Sequence, residues 1–339
     1  MGKLSMKLCN FPLSKFREIF IINKMNIKPC NRLRNKALRV FFLMGAGLAL
    51  FGQNIPKSLS MEKLIMQSYR PLVVAHRGFR SIAPENTLLA AQKGFDAGAD
   101  MWELDVAASS DGVLVVLHDN TLSRTTDAKT RFPSRSPWTV YDFTLAELKS
   151  LDAGSWYAQT DPFMQIAVGR VKTSELASFK DIKIPTLREA LELTKRLGWR
   201  VNIEIKDATG FACDAWIVER TAELIKELDM VPSVLISSFN HDYLKRMKKA
   251  IPEIAVAALI DKPLSDPIQI LRDIGAVALN PNEKYLDGAT VKALRSAGFG
   301  VLPWTVNDAS RMKTLLNWGA TGLITDFPDK ALELVNKSF

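Results

Sequence analysis

The chain has 339 residues, 47% of them hydrophobic and 24% charged, enough to bury one large core or two smaller ones, which excludes disordered, collagen-like and disulfide-scaffold classes. Its formal net charge of +9 is unevenly spread: residues 1–60 hold eleven Lys or Arg and one acid, Glu18, leaving 34 bases against 35 acids in the remainder. No general attraction of the body for nucleic acid is therefore expected, and three cysteines without CxxC spacing rule out a disulfide framework or a cysteine-bound zinc.

Residues 1–60 read as a leader and linker ahead of a single domain over residues 61–339. From Lys28 to Arg39 five bases stand without an acid, and residues 40–51 are uncharged and mostly apolar. That order is an export signal's, since an apolar run this short falls below the ~20 residues of a spanning helix; an uncleaved membrane anchor is the alternative. Residues 37–56 are thus the candidate for membrane association, and the expected location is exported, periplasmic or extracellular.

From Pro71 onward, short apolar or β-branched runs alternate with amphipathic stretches of helix length, the pattern of an α/β fold. The runs are Leu72–His76, Met101–Val106, Val113–Leu117, Val201–Ile205, Val234–Ser238, Val256–Ile260, Ala276–Leu279, Gly300–Val306 and Gly322–Thr325. Helices are expected over Thr87–Ala97, Leu187–Leu197 and Ala215–Leu228. The second and third runs are separated only by Ser109-Ser110-Asp111-Gly112, so they form an antiparallel hairpin. Folding about Asp111-Gly112 places Asp105 opposite His118. Without that return arm eight parallel strands remain, which predicts a TIM-type (β/α)8 barrel with a β-hairpin after strand 2; a doubly wound open sheet is the alternative. Residues 121–184, about, form an insertion too long for a loop. Its aromatic residues Trp138, Tyr141, Phe143, Trp156, Tyr157 and Phe163 fit a satellite core better than a lip for substrate or membrane.

Chemistry concentrates at strand ends, the rim on which barrel sites are built. His76 and His118 both stand there, and His76 is followed by Arg77 and Gly78. In Trp102-Glu103-Leu104-Asp105 the two carboxylates share one strand face, and Glu204 with Lys206 does the same on the next barrel strand. Glu103, Asp105 and Glu204 can therefore meet around one hard divalent cation, Ca²⁺ or Mg²⁺. The alternative is a salt-bridged trio closed by Lys206 or Arg77. A cation, two fixed bases and two histidines suit an anionic substrate whose charge grows in the transition state, as in phosphodiester cleavage.

These residues resemble the glycerophosphodiester phosphodiesterase family. The resemblance runs in order through His76-Arg77-Gly78, Pro84-Glu85-Asn86-Thr87, Glu103-Leu104-Asp105, Asp111-Gly112, His118-Asp119, Ile203-Glu204-Ile205-Lys206, Ser238-Phe239, Trp304-Thr305-Val306-Asn307 and Thr325-Asp326-Phe327-Pro328. It implies hydrolysis of glycerophosphodiesters such as glycerophosphocholine or glycerophosphoethanolamine to sn-glycerol 3-phosphate and an alcohol. It implies His76 and His118 as the acid–base pair, Glu103, Asp105 and Glu204 as metal ligands, Arg77 and Lys206 on phosphate oxygens and Trp304 against the glycerol; in some members the histidine matching His118 is a metal ligand instead. Lysophospholipase D-type cleavage and a non-catalytic phosphodiester-binding barrel are the other readings. Export favours Ca²⁺ over Mg²⁺. The expected partner is a small molecule, with no protein partner indicated.

Overall fold

The computed structural model describes residues 59–338 of the chain. The leader expected at residues 37–56 lies outside the described residues. Among the described residues no helix is long and apolar enough to cross a membrane.

The chain runs α1 (Met61–Gln67), β1 (Leu72–Ala75), α2 (Leu88–Asp96), β2 (Met101–Ala108), β3 (Leu114–Val116), α3 (Ala128–Arg131), α4 (Leu145–Ser150), α5 (Ser155–Thr160), α6 (Leu187–Arg196) and β4 (Val201–Ile205). It continues through α7 (Ile217–Glu227), β5 (Val234–Ser238), α8 (His241–Ala250), β6 (Ala255–Ile260), α9 (Pro267–Ile274), β7 (Ala278–Pro281), α10 (Gly288–Ser296), β8 (Gly300–Val301), α11 (Ala309–Trp318), β9 (Gly322–Thr325) and α12 (Pro328–Ser338). Local chemistry sets the helix starts. Thr87 accepts from the Ala90 N–H, and Thr186 with Glu189 forms a capping box at α6.

Eight strands pair in parallel in the order β8-β7-β6-β5-β4-β2-β1-β9, and β3 hangs antiparallel on β2. The seam between β8 and β9 is closed by backbone hydrogen bonds from Thr321 N–H to Val301 O (2.9 Å), Ile324 N–H to Pro303 O (3.0 Å) and Val306 N–H to Ile324 O (3.0 Å). The sheet is thus a TIM-type (β/α)8 barrel, not an open doubly wound sheet. Strand β8 stops at Val301, well short of the expected Val306, because Pro303 has no N–H for the ladder, although the Trp304 N–H still bonds Pro281 O of β7.

Period-two alternation divides the core. Leu72, Val74, Met101, Leu235, Ala257 and Ile324 point into the barrel, while Val73, Leu104, Ile203, Ile236 and Leu323 face the helices. Helix α1 plugs the N-terminal mouth by burying Met61, Leu64 and Ile65 against the inner layer. Three such side chains stabilise by roughly 5–9 kcal/mol before ordering entropy is subtracted. The opposite rim, at the C-terminal strand ends, is left for polar residues.

The hairpin corrects the expected register by one residue. Val106, Ala107 and Ala108 pair with Val116, Val115 and Leu114, and the Leu117 N–H donates to Asp105 O, so Leu117 and not His118 stands opposite Asp105. The cause is a three-residue loop, Ser110-Asp111-Gly112, closed by Ser109 N–H to Val113 O at 2.9 Å, with Gly112 at φ +83°. A glycine in that left-handed position adds the residue that a two-residue turn lacks. His118 reaches the site only because the chain leaves the strand after Val116. In the insertion, Tyr141 and Phe143 join the main core, while Tyr157, Val171 and Phe179 form a satellite cluster with Trp156 and Phe163 packed on it.

Candidate active site

The turn after β1 puts the first functional groups in place. Arg77 and Gly78 both have positive φ, 53° and 79°, and a Cβ at Gly78 would lie 2.5 Å from the Ala90 carbonyl carbon. Glycine is required there. The reversed turn aims the Arg77 backbone N–H at Glu103 Oε2 (2.9 Å) and the His76 ring into the barrel mouth.

Glu103, Asp105 and Glu204 each place one carboxylate oxygen within 4.8 Å of the others, and all three are buried. The register accounts for it, since Asp105 pairs with Glu204 across β2 and β4. Burial raises the Glu103 carboxyl well above its usual range, and the facing Asp105 and Glu204 charges raise it further. Glu204 is raised by burial and by Asp105. Asp105 is also buried, but Lys206 and Arg77 outweigh that and hold it well below the carboxylate range.

Part of the salt-bridged alternative is realised: Lys206 Nζ lies 2.6 Å from Glu204 Oε1 and 3.5 Å from Asp105 Oδ1, and Arg77 Nε lies 3.3 Å from Asp105 Oδ2. Two bases do not satisfy three carboxylates. Asp105 Oδ1 is buried without a hydrogen-bond donor, and two of the three acids resist ionisation. An all-oxygen cluster of this kind fits a divalent cation. His118 is not part of it.

Both histidines are fixed through Nδ1. A carboxylate can only accept, so His76 Nδ1–H donates to Asp326 Oδ1 at 2.7 Å and His118 Nδ1–H to Asp119 Oδ1 at 2.6 Å. Nε2 of each is then the nitrogen left for chemistry, and both rings line one cavity of about 120 Å³ together with Arg77, Glu103, Glu204 and Trp304. Burial, and after it the Arg77 guanidinium, pushes the His76 imidazole down to about 4, so it is neutral at pH 7. Asp105 and Lys206 do not line that cavity but lie directly behind it, Asp105 within the carboxylate cluster and Lys206 on Glu204, so the site residues expected from the sequence are gathered at one rim.

A profile of the family described as "Glycerophosphoryl diester phosphodiesterase family" matches residues 76–330. The chain belongs to the glycerophosphoryl diester phosphodiesterase family. A glycerophosphodiester phosphodiesterase of Caldanaerobacter subterraneus subsp. tengcongensis is 35% identical over 268 residues, 79% of this chain and 99% of that protein. One of Bacillus altitudinis is 35% identical over 267 residues, 77% of this chain and 97% of that protein. Among solved structures, a phosphodiesterase of Oleispira antarctica in complex with the product sn-glycerol-3-phosphate superposes with a TM-score of 0.68 at 32% identity, covering 79% of this chain and 98% of that one.

The structure of this phosphodiesterase-family barrel also brings in residues to which the sequence reading gave no role. Asp326 orients His76 and is itself held by Asn307, whose Nδ2 donates to Asp326 Oδ2 (2.7 Å) while its Oδ1 accepts from the Asp326 N–H (3.0 Å). Asn86 Nδ2 donates to Asp105 Oδ2 at 2.8 Å. Glu85 is buried among three guanidinium groups: Arg77 Nη1 at 2.8 Å, Arg80 Nη2 at 3.0 Å and Arg124 Nη2 at 2.7 Å. Those cations outweigh its burial and hold it well below the usual carboxylate range. Arg124 also grips Asp119 through Nε at 2.7 Å and Nη2 at 2.9 Å, and Arg80 Nε lies 3.7 Å from Asp326 Oδ1, so Glu85 is tied to the partners of both histidines. Glu85, Asn86, Asn307 and Asp326 all sit in the short motifs that carried the resemblance, which was the available signal.

Proposed function

We propose that the chain hydrolyses glycerophosphodiesters, with glycerophosphocholine and glycerophosphoethanolamine as representative substrates, to sn-glycerol 3-phosphate and the free alcohol. The observation that carries this reading is the pair of histidines, each pinned at Nδ1 by a carboxylate, with both rings lining the cavity that Glu103 and Glu204 of the acidic triad also line. The product named in the Oleispira antarctica complex is the one this reaction would release.

In this reading His76, neutral at pH 7, takes the proton of the attacking hydroxyl, the C2 hydroxyl of the substrate glycerol. His118, at the more open side of the cavity, gives a proton to the departing alcohol oxygen. The new P–O bond closes a cyclic phosphate; water then opens it, with the proton transfers reversed, so each histidine ends as it began. Arg77 and Lys206 hold the phosphoryl oxygens, and Trp304 packs on the glycerol. Glu103, Asp105 and Glu204 would hold one divalent cation, Ca²⁺ rather than Mg²⁺, since an all-carboxylate set with open positions tolerates calcium's looser geometry. Such an ion supplies charge stabilisation at the phosphoryl oxygens. We further propose that the protein is exported, on the order of basic and apolar residues between Lys28 and Phe51.

The test is release of sn-glycerol 3-phosphate from glycerophosphocholine by the full chain, stripped with chelator and then given Ca²⁺ or Mg²⁺. Release restored by Ca²⁺ and lost in Glu103→Ala supports the reading. Cleavage of lysophosphatidylcholine alone moves the assignment to the lysophospholipase D reading. Silence on both overturns the catalytic reading.

A further inference from the structure

The two histidines are held by unlike means. Asp326, the partner of His76, has a side chain only 7% exposed, and Asn307 fixes it through both its carboxylate and its backbone N–H. Asp119, the partner of His118, has a side chain 26% exposed and stands where the chain has already left the strand after Val116. Among the described residues the Asp119 carboxylate has one side-chain partner besides His118, and that partner is Arg124.

The Arg124 guanidinium bridges two carboxylates. Nε and Nη2 donate to Asp119 Oδ2 (2.7 Å) and Oδ1 (2.9 Å), while Nη1 and Nη2 donate to Glu85 Oε2 (3.0 Å) and Oε1 (2.7 Å). A planar fork bonded in pairs on both sides fixes the orientation of each carboxylate as well as its distance. Glu85 is the rigid end of the bridge, since its side chain is 3% exposed and is bonded also to Arg77 and Arg80. The Trp156 ring of α5, 6.0 Å from the guanidinium carbon, backs the fork from the insertion. Arg124 does not line the catalytic cavity, so it reaches the reacting atoms through Asp119 and His118 and not by contact.

A ring that hands a proton to a departing oxygen must keep Nδ1–H on its carboxylate while Nε2–H points at that oxygen. A half-exposed aspartate without a clamp holds no such direction. We infer that Arg124 is the positioning residue of the proton donor: by tying Asp119 to buried Glu85 it aims His118 Nε2–H at the leaving-group oxygen. The proton then arrives there as the P–O bond breaks and its electron pair goes to the departing alcohol. This rests on the phosphodiesterase reading above and adds a residue to its leaving-group step.

The experiment compares two leaving groups in the full chain, supplied with the divalent cation that restores its activity. Choline leaves as an alcohol and needs the proton; p-nitrophenolate, from the p-nitrophenyl ester of sn-glycerol 3-phosphate, leaves as a stable anion and does not. Release is read in a single turnover with enzyme in excess, because opening of the cyclic phosphate by water calls on His118 again. Arg124→Ala should slow choline release roughly 10²-fold and nitrophenolate release less than about threefold. Arg124→Lys keeps the charge but cannot grip two carboxylates in a fork, so the same selective loss is expected. In a His118→Ala background, Arg124→Ala should remove nothing further. Equal slowing with both leaving groups, or a full additional loss on top of His118→Ala, would mean that Arg124 only supports the fold and overturns its role. Choline release at the parent rate in Arg124→Lys would overturn the clamp, since charge alone would then suffice. His118→Ala separates the two levels: if it slows both leaving groups alike, His118 is not the proton donor and that assignment fails first; if it is selective and Arg124→Ala is not, only the role of Arg124 fails.

Discussion

Replacing Asp326 by Asn is a severe test of the role given to His76. The Asp326 carboxylate accepts from His76 Nδ1–H at 2.7 Å, and its second oxygen accepts from Asn307 Nδ2 at 2.7 Å. An amide has one acceptor and one donor end. If its oxygen stays on Asn307 Nδ2–H, its NH₂ group faces His76 Nδ1, which must then become the acceptor, and the ring proton moves to Nε2. An imidazole protonated at Nε2 cannot take a proton from the attacking hydroxyl. Losing one positioned acid–base group costs roughly 10²–10⁴ in rate, about 3–5 kcal/mol of barrier. Because Asp326 lies behind the ring and does not line the cavity, kcat should fall by about that factor while KM moves less than about threefold. Steady-state kinetics on glycerophosphocholine, with the ring tautomer read from nitrogen NMR shifts of the metal-free protein, decide the matter. A loss under about tenfold with the tautomer switched would refute His76 as the base.

Chelation followed by Ca²⁺ titration should restore activity and raise Tm in the parent protein, and Glu204→Gln should abolish both effects; a Tm insensitive to Ca²⁺ would remove the triad as the ion's site. Asp100, fully buried beside Arg70 at 2.9 Å and also accepting from the Val73 N–H at 2.7 Å, anchors the N-terminal side of the barrel. Asp100→Asn should lower stability by about 3–5 kcal/mol in denaturant unfolding, leaving KM for glycerophosphocholine unchanged. The His76 imidazole, pushed down to about 4, binds its proton later than the unfolded chain does, so acidification through the window from about 6.5 to 4 favours unfolding, by up to about 3 kcal/mol. His76→Asn without metal should therefore lose less Tm than the parent between pH 7.5 and 4.5, and parallel curves would count against the shift.

The periodicity of the sequence located all nine strands because each is a short apolar run bounded by turn residues, and the (β/α)8 count followed once the Asp111-Gly112 hairpin was set aside. Carboxylate alternation at Glu103, Asp105 and Glu204 was legible for the same reason: strand geometry fixes which side chains share a face. The hairpin register was not, because a left-handed Gly112 makes a three-residue loop from letters that also suit a two-residue one. The parts Asp326, Asn307, Glu85 and Arg124 play were hidden for a different reason. Asp326 meets His76 across 250 residues and only where β9 returns to β1; no local spacing encodes that encounter. Trp304 owes its place to backbone bonds from β7 to a segment where β8 has already ended.

The charges on the rim explain why so many residues stand behind so few reacting ones. Counted as ionised, Glu85, Glu103, Asp105, Asp119, Glu204 and Asp326 face Arg77, Arg80, Arg124 and Lys206, an excess of two negative charges gathered at a largely buried rim. Buried charge without a partner is strongly destabilising, so a set with this imbalance relaxes by protonating its least compensated members. Those are Glu103 and Glu204, the two acids whose protonation is favoured. One divalent cation between them would remove both the excess and the protonation. Glu85 has the complementary task. By gathering three guanidinium groups it keeps Arg77 from collapsing wholly onto Asp105 and keeps Arg124 on Asp119, so that the cationic charge is held at the rim and not spent on the triad. The same network that positions the histidines therefore keeps the triad short of positive charge, which is the condition under which a hard cation would bind there.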